Sequence, residues 1–304
     1  MWSSLLLFWG ALGVGYGARR LHLVPPSFAA PCIRWLASFV APPVILFAMW
    51  VVDLKHLALV SLPFVGLAVS GASLLPAWWL ARRWQLPSSQ RGSWLVSAFF
   101  SNVGFLGALI AFVVWGEGAY GLCQLFFLFF GPAVYTVGYG LAGRYAPRPD
   151  TAAPRRVELW RWAPMVGTLV GLALSWWEVP RPGFLTTVNR ALIPWMTAIY
   201  LFTIGTMVHV SRVGRDVRPA LWMCGIKLLY APLVGAGLAW LLHYHTLQEG
   251  LVFRVVVLES AMPPALTSLT LTTLFALDQD FANSLWIVGA VLSMAVVPVV
   301  LWLL

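Results

Sequence analysis

Hydrophobic residues run in long blocks along this chain, separated by short polar breaks. Ten blocks stand out, at roughly 3–18, 28–50, 57–81, 93–115, 118–142, 162–178, 185–208, 219–242, 251–276 and 281–303. Most are near the ~20 residues with which a helix crosses the hydrocarbon core of a bilayer. They predict an all-α integral membrane protein with ten transmembrane helices, spans 1 to 10.

Two of the blocks are interrupted. Span 4 reads Phe99-Phe100-Ser101-Asn102-Val103-Gly104-Phe105-Leu106-Gly107, and span 9 reads Glu259-Ser260-Ala261-Met262-Pro263-Pro264-Ala265-Leu266-Thr267. In lipid every backbone N–H and C=O needs an internal partner, so a broken helix survives only where its freed groups face protein, water or a ligand. Matching breaks in two halves of a chain point to a midplane binding site.

The polar residues at the breaks carry the candidate chemistry. Asn102 offers a donor and an acceptor beside Ser101, and Gly104 and Gly107 let the backbone unwind or approach a ligand. The same residues also suit a helix-packing seam with an interhelical hydrogen bond. Pro263 and Pro264 lack N–H groups and crowd the preceding turn, which disfavours a straight helix and frees carbonyls. Glu259 is an intramembrane carboxylate, the kind of group that marks an ion or substrate path; the alternative is a structural ion pair with Lys227 or Arg254. Lys227 lies about eight residues into span 8, roughly 12 Å from its end. It can snorkel, attract an anionic substrate or pair with Glu259. Ala41-Pro42-Pro43 in span 2 marks a hinge, a packing kink or part of the site wall.

Composition narrows the class further. With 61% hydrophobic and 10% charged residues and a mean hydropathy of +0.84, the chain is too apolar for a soluble domain. A net charge of +9 raises the question of a nucleic-acid partner, and its distribution answers it. Loops one, three, five and seven hold Arg19 and Arg20; Arg82, Arg83 and Arg91; Arg144, Arg148, Arg155, Arg156 and Arg161; and Arg212, Arg215 and Arg218, whereas the second, fourth, sixth and eighth hold only Lys55 and Arg181. This is the positive-inside pattern, with both termini outside the cytoplasm and no nucleic acid required. Met1 to Ala18 lacks the basic start of a secretory signal and reads as a retained first span. Cys32, Cys123 and Cys224 have no framework spacing, and His243-Tyr244-His245 has no companion ligands for a metal. No P-loop, GxSxG or HExxH occurs, so neither an enzyme nor a stand-alone ATP-driven pump is expected.

The polar, Pro- and Arg-rich stretch from Gly143 to Arg161 divides the chain into residues 1–142, a linker 143–161, and residues 162–304. Five spans on each side is an odd number, so two halves of one fold would form an inverted repeat. Three markers fall at nearly one offset: Arg34 and Arg190, Leu46-Phe47 and Leu201-Phe202, and the two breaks.

With these residues the chain resembles the auxin efflux carrier family, which includes plant auxin carriers and bacterial permeases associated with malonate, malate and similar anions. The similarity covers nearly the full length. It rests on Gly15-Tyr16-Gly17, Arg34 eight residues before Pro42, Asn102 with its glycines, Lys227 followed after four residues by Pro232, and above all Ala261-Met262-Pro263-Pro264-Ala265 with Leu277-Asp278 after it. Two departures are Ala163-Pro164 in place of the usual Asn-Pro and the absence of a long central loop. The resemblance implies that spans 4 and 9 cross at their breaks. It also implies a moving transport domain (spans 3–5 and 8–10), a scaffold domain (spans 1, 2, 6 and 7) and a homodimer formed through the scaffold. More distantly, Ser101-Asn102-Val103 and Glu259-x-x-Met262 resemble the sodium-binding segments of bile acid symporters, although Pro263 stands where those carry Gln.

The expected protein is thus an elevator-type secondary transporter of small organic anions in the cell's inner membrane. Ser101, Asn102, Gly104, Met262, Pro263, Pro264 and Lys227 are the expected substrate contacts. Glu259, with Ser101 and Asn102, is expected to handle a coupling ion, H⁺ or Na⁺, with no other cofactor; Pro42 and Pro43 are the expected kink. A Na⁺-coupled symporter of a larger anion and a non-transporting receptor or scaffold are the alternatives.

Overall fold

Apolar side chains with few backbone breakers favour helix wherever water is excluded, and the ten hydrophobic blocks are all helical in the computed structural model, which describes residues 2–25, 27–52, 57–147, 162–208 and 214–304. Lys55, Arg212 and most of the linker, with Arg148, Arg155, Arg156 and Arg161, lie outside the described residues. Span 1 is α1 (Trp2–Arg20), and span 2 is α2 (Ala29–Trp35), a π turn (Leu36–Val40) and α3 (Ala41–Met49). Span 3 is α4 (Leu62–Arg83) after a short 3₁₀ turn. Span 4 is α5 (Ser88–Phe99), then after the break a π turn (Val103–Gly107) and α6 (Ala108–Trp115). Span 5 is α7 (Glu117–Phe126), α8 (Phe130–Ala133), a π turn (Val134–Gly138) and α9 (Tyr139–Tyr145).

Spans 6 and 7 are α10 (Ala163–Trp176) and α11 (Phe184–Met207), and span 8 is α12 (Val217–Gly225), a π turn (Ile226–Tyr230) and α13 (Ala231–Leu241). Span 9 is α14 (Leu251–Ser260) and α15 (Leu266–Leu274), and span 10 is α16 (Gln279–Leu303). Among the described residues, five stretches are long and apolar enough to cross a membrane: Ala29–Met49, Ala58–Arg83, Glu117–Tyr145, Val217–Leu241 and Gln279–Leu303. The chain is an all-α, multi-pass membrane protein.

Prolines account for two of the π turns. The turns Leu36–Val40 and Ile226–Tyr230 lie directly before Ala41-Pro42-Pro43 and Ala231-Pro232. A proline ring crowds the carbonyl four residues back and offers no N–H to it. Widening the preceding turn by one residue accommodates both effects.

The helices form two compact units that do not follow the 1–142 and 162–304 halves. Unit 1 comprises Met1–Ser61, Gly104–Leu128 and Val157–Val208. Unit 2 comprises Leu62–Val103, Phe129–Arg156 and His209–Leu304. Spans 1, 2, 6 and 7 therefore group together, and spans 3, 8, 9 and 10 group together. Spans 4 and 5 are each divided: their middle portion, residues 104–128, belongs to unit 1.

Within unit 1 the pairs α1/α11 and α3/α10 close on glycine seams. A Cβ at Gly15 or Gly205 would collide with the carbonyls of Phe202 and Leu12, and one at Gly171 would lie 2.6 Å from the Leu46 oxygen. Gly167 backs onto the Pro42 carbonyl in the same way, so the span 2 kink is packed against α10. Such close backbone approach replaces the hydrophobic driving force that lipid cannot supply between helices. Within unit 2, α5 is central and packs on α4, α9, α15 and α16. One apolar cluster gathers Trp94, Leu95, Met223, Phe281 and Leu285; another gathers Phe99, Phe100, Val134, Leu271 and Phe275.

Candidate functional site

The two breaks meet inside unit 2. Past the end of α5, Phe100 turns extended (φ −87°, ψ 118°). Ala265 is likewise extended (φ −79°, ψ 156°) just before α15. The short extended pieces run antiparallel: Asn102 N donates to the Pro263 carbonyl at 2.8 Å and Ala265 N donates to the Phe100 carbonyl at 2.9 Å. Ser101 and Pro264 face each other between these two bonds, in an isolated antiparallel bridge.

This geometry explains why prolines sit here. In an antiparallel pair, residues alternate between those that exchange N–H and C=O bonds and those that do not. Position 264 is of the second kind, so its missing N–H is not needed, and Pro263 takes part only through its carbonyl. The pairing satisfies four of the backbone groups that the breaks release, as a bilayer interior demands. It also leaves two short helices, α15 and the π turn leading into α6, starting from the bridge.

Lys227 completes the cluster. It lies on the π turn of span 8, is fully buried, and its Nζ donates to Ser101 Oγ at 2.7 Å. Among the three roles open from sequence, snorkelling is thereby overturned: the ammonium turns inward onto the span 4 break. Glu259 is fully buried in the last turn of α14, and its backbone carbonyl accepts from Met262 N at 3.4 Å. Met262, Pro263 and Pro264 are all buried, as are Ser101 and Asn102. Behind the bridge, α16 supports the prolines through Gly289, where a Cβ would stand 2.8 Å from Pro264 Cδ.

Some sequence-selected residues are grouped with the other compact unit, and some polar residues escaped selection. Gly104 falls in unit 1, where its carbonyl accepts from Gln124 Nε2 at 3.0 Å. Pro42 and Pro43 are also in unit 1. Ser97, one turn before Ser101 on α5, is fully buried, and its hydroxyl has no hydrogen-bond partner among the described residues. Serines recurring at 93, 97 and 101 were the available signal. A second polar cluster, of Glu117, Arg181 and Asn189 in unit 1, was visible only as a carboxylate after Gly116 and an Asn inside span 7.

Comparisons with known proteins give two similarities. Residues 157–301, from the end of the linker into the last span, match the family described as "Membrane transport protein". That match covers a little less than half of the chain and makes its second half similar to that family. It is also 25% identical over 290 residues to an "Uncharacterized transporter" of Methanothermobacter thermautotrophicus, a match spanning 95% of this chain and 93% of that protein. Both similarities support the auxin efflux carrier resemblance read from Asn102, Lys227 and Met262-Pro263-Pro264. The protein is a membrane transporter rather than an enzyme.

Proposed function

We propose that this protein is a secondary transporter of small organic anions, carboxylates first, working by elevator-type alternating access with its binding site at the span 4/span 9 bridge. The observation that carries the reading is the fully buried Lys227 Nζ at 2.7 Å from Ser101 Oγ, beside two backbone breaks paired through Asn102 and Pro263. A cation held beside the N-terminal ends of short helices creates a locally positive interior, suited to a carboxylate and costly to maintain for any structural purpose alone. Asn102 supplies the directional hydrogen bonds, and Ser101, Met262, Pro263 and Pro264 form the wall. Gly104 contributes freed backbone directly after the span 4 break.

Glu259 is the group for a coupling ion. The Na⁺ alternative drawn from bile acid symporters has Lys227 against it, since a cation already donates to Ser101; proton coupling through Glu259 is the reading we favour. Ten spans arranged as a five-plus-five inverted repeat, an inner-membrane location with both termini outside the cytoplasm, and a homodimer follow from the charge pattern and the family resemblance. The test is uptake of a panel of labelled carboxylates, malonate and malate included, into proteoliposomes under imposed H⁺, Na⁺ and voltage gradients. Uptake of at least one acid that Asn102→Ala abolishes is the expected result; uptake indifferent to that substitution, or no uptake of any acid, overturns the proposal.

A further inference from the structure

Residues 104–128 form a helical hairpin, α6 and α7 joined at Gly116, whose φ of +85° is a conformation that glycine takes without strain. The helix path is interrupted at both ends of the hairpin, by the span 4 break before it and by the turn between α7 and α8 after it. Gln124 Nε2 donates to the Gly104 carbonyl, tying these two ends together. The hairpin groups with unit 1 although the chain on either side of it groups with unit 2.

One carboxylate fastens it there. Glu117, the first residue of α7, is gripped by both terminal nitrogens of Arg181, at 2.7 and 3.0 Å. Asn189 Nδ2 of α11 donates to the same carboxylate at 2.6 Å and to the Val44 carbonyl at 3.2 Å. Arg181 also donates to the Phe47 carbonyl at 2.6 Å and to Thr186 Oγ1 at 2.5 Å. Glu117 thus joins α7 to the end of α3, the loop before α11 and the first turns of α11.

The cluster is poorly suited to being a stabiliser. The Arg181 and Glu117 side chains are only 7% and 9% exposed, and desolvation offsets most of the attraction in such a pair. Asn189 Oδ1 is buried with no hydrogen-bond partner among the described residues. Its amide cannot be turned to help, because both atoms that Nδ2 meets are acceptors. The best-attested use of a buried ion pair is to fix one arrangement against another.

We infer that Glu117, Arg181 and Asn189 are a latch docking the α6–α7 hairpin onto spans 2 and 7, and that opening the latch is a step of the transport cycle. The second clause rests on the alternating-access reading above. Glu117 and Arg181 are positioning residues and touch no substrate.

The test is amide hydrogen exchange of the full-length protein in nanodiscs, paired with malate uptake in proteoliposomes. Glu117→Gln should speed exchange of residues 117–126 at least tenfold while α5 and α14 stay unchanged, and should change the saturating uptake rate more than the half-saturating concentration. Arg181→Lys, which keeps the charge and loses the fork, should fall between it and wild type. Thr186→Val removes one peripheral bond and should have the same local effect, smaller, should Glu117→Gln fold poorly. Faster exchange in both units together, unchanged exchange, or a local exchange change without any change in uptake rate would overturn the latch. Wild-type vesicles that take up none of the carboxylate panel would instead overturn the transport reading, and the exchange arm would still decide whether the hairpin is docked by Glu117.

Discussion

Lys227 Nζ and Ser101 Oγ are 2.7 Å apart with both side chains buried, so the π turn of span 8 is tied to the break of span 4. This contact gives the sharpest separation between site and scaffold. Lys227→Met keeps the apolar stem and removes the charge. It should lower carboxylate uptake at least tenfold while changing stability by only about 1–3 kcal/mol, the cost of one lost charge-assisted hydrogen bond. Uptake kinetics and thermal unfolding of the same preparation check both halves of the statement.

The bridge makes neighbouring positions 264 and 265 opposite in their tolerance of proline. Pro264→Ala removes no hydrogen bond and should cost about 1 kcal/mol or less, through slightly poorer packing on Gly289. Ala265→Pro removes the donor that Phe100 O accepts and should cost about 3 kcal/mol or more. Equal effects of the two substitutions on unfolding would contradict the pairing.

The fit of α16 behind the prolines is rigid on both sides. A Cβ at Gly289 would press on Pro264 Cδ, an atom fixed by its own ring. Gly289→Ala should therefore cost about 1–3 kcal/mol, as overpacking does, and should reduce uptake through distortion of the bridge. Gly237→Ala, at a site with nothing within 4 Å of the new Cβ, is the matched control and should leave unfolding and uptake unchanged.

Helix positions were legible from hydrophobic block length alone, because in a bilayer the length of an apolar run is set by membrane thickness. The breaks were legible because Pro263-Pro264 and Asn102-Val103-Gly104 contradict their surroundings locally. What joins distant parts of the chain was hidden. Nothing in the sequence around Lys227 specifies Ser101, 126 residues away, as its partner. Similarly, Arg181 read as a loop residue, since its ion pair with Glu117 bridges 64 positions and depends on tertiary packing. The division of span 5 between two compact units was also beyond reach, since an uninterrupted hydropathy signal does not report where a helix changes neighbours, whereas the division of span 4 falls at the break the sequence shows.

Glu259 is buried in the last turn of α14, two residues before Ala261 leaves the helix. If it carries the coupling proton, Glu259→Gln should uncouple transport: uptake driven by an imposed proton gradient should fall at least tenfold, while exchange of labelled for unlabelled substrate at equilibrium persists. Loss of both modes together would assign Glu259 to the structure of the bridge instead.

The central claim is that the paired breaks bind the transported anion. Its most direct measurement is saturable uptake of labelled malonate or malate by the wild-type protein and by Asn102→Ala in matched proteoliposomes, with protein orientation and thermal stability verified for both. The account predicts wild-type uptake that is lost in Asn102→Ala without loss of fold. Equal uptake by the two proteins would contradict it.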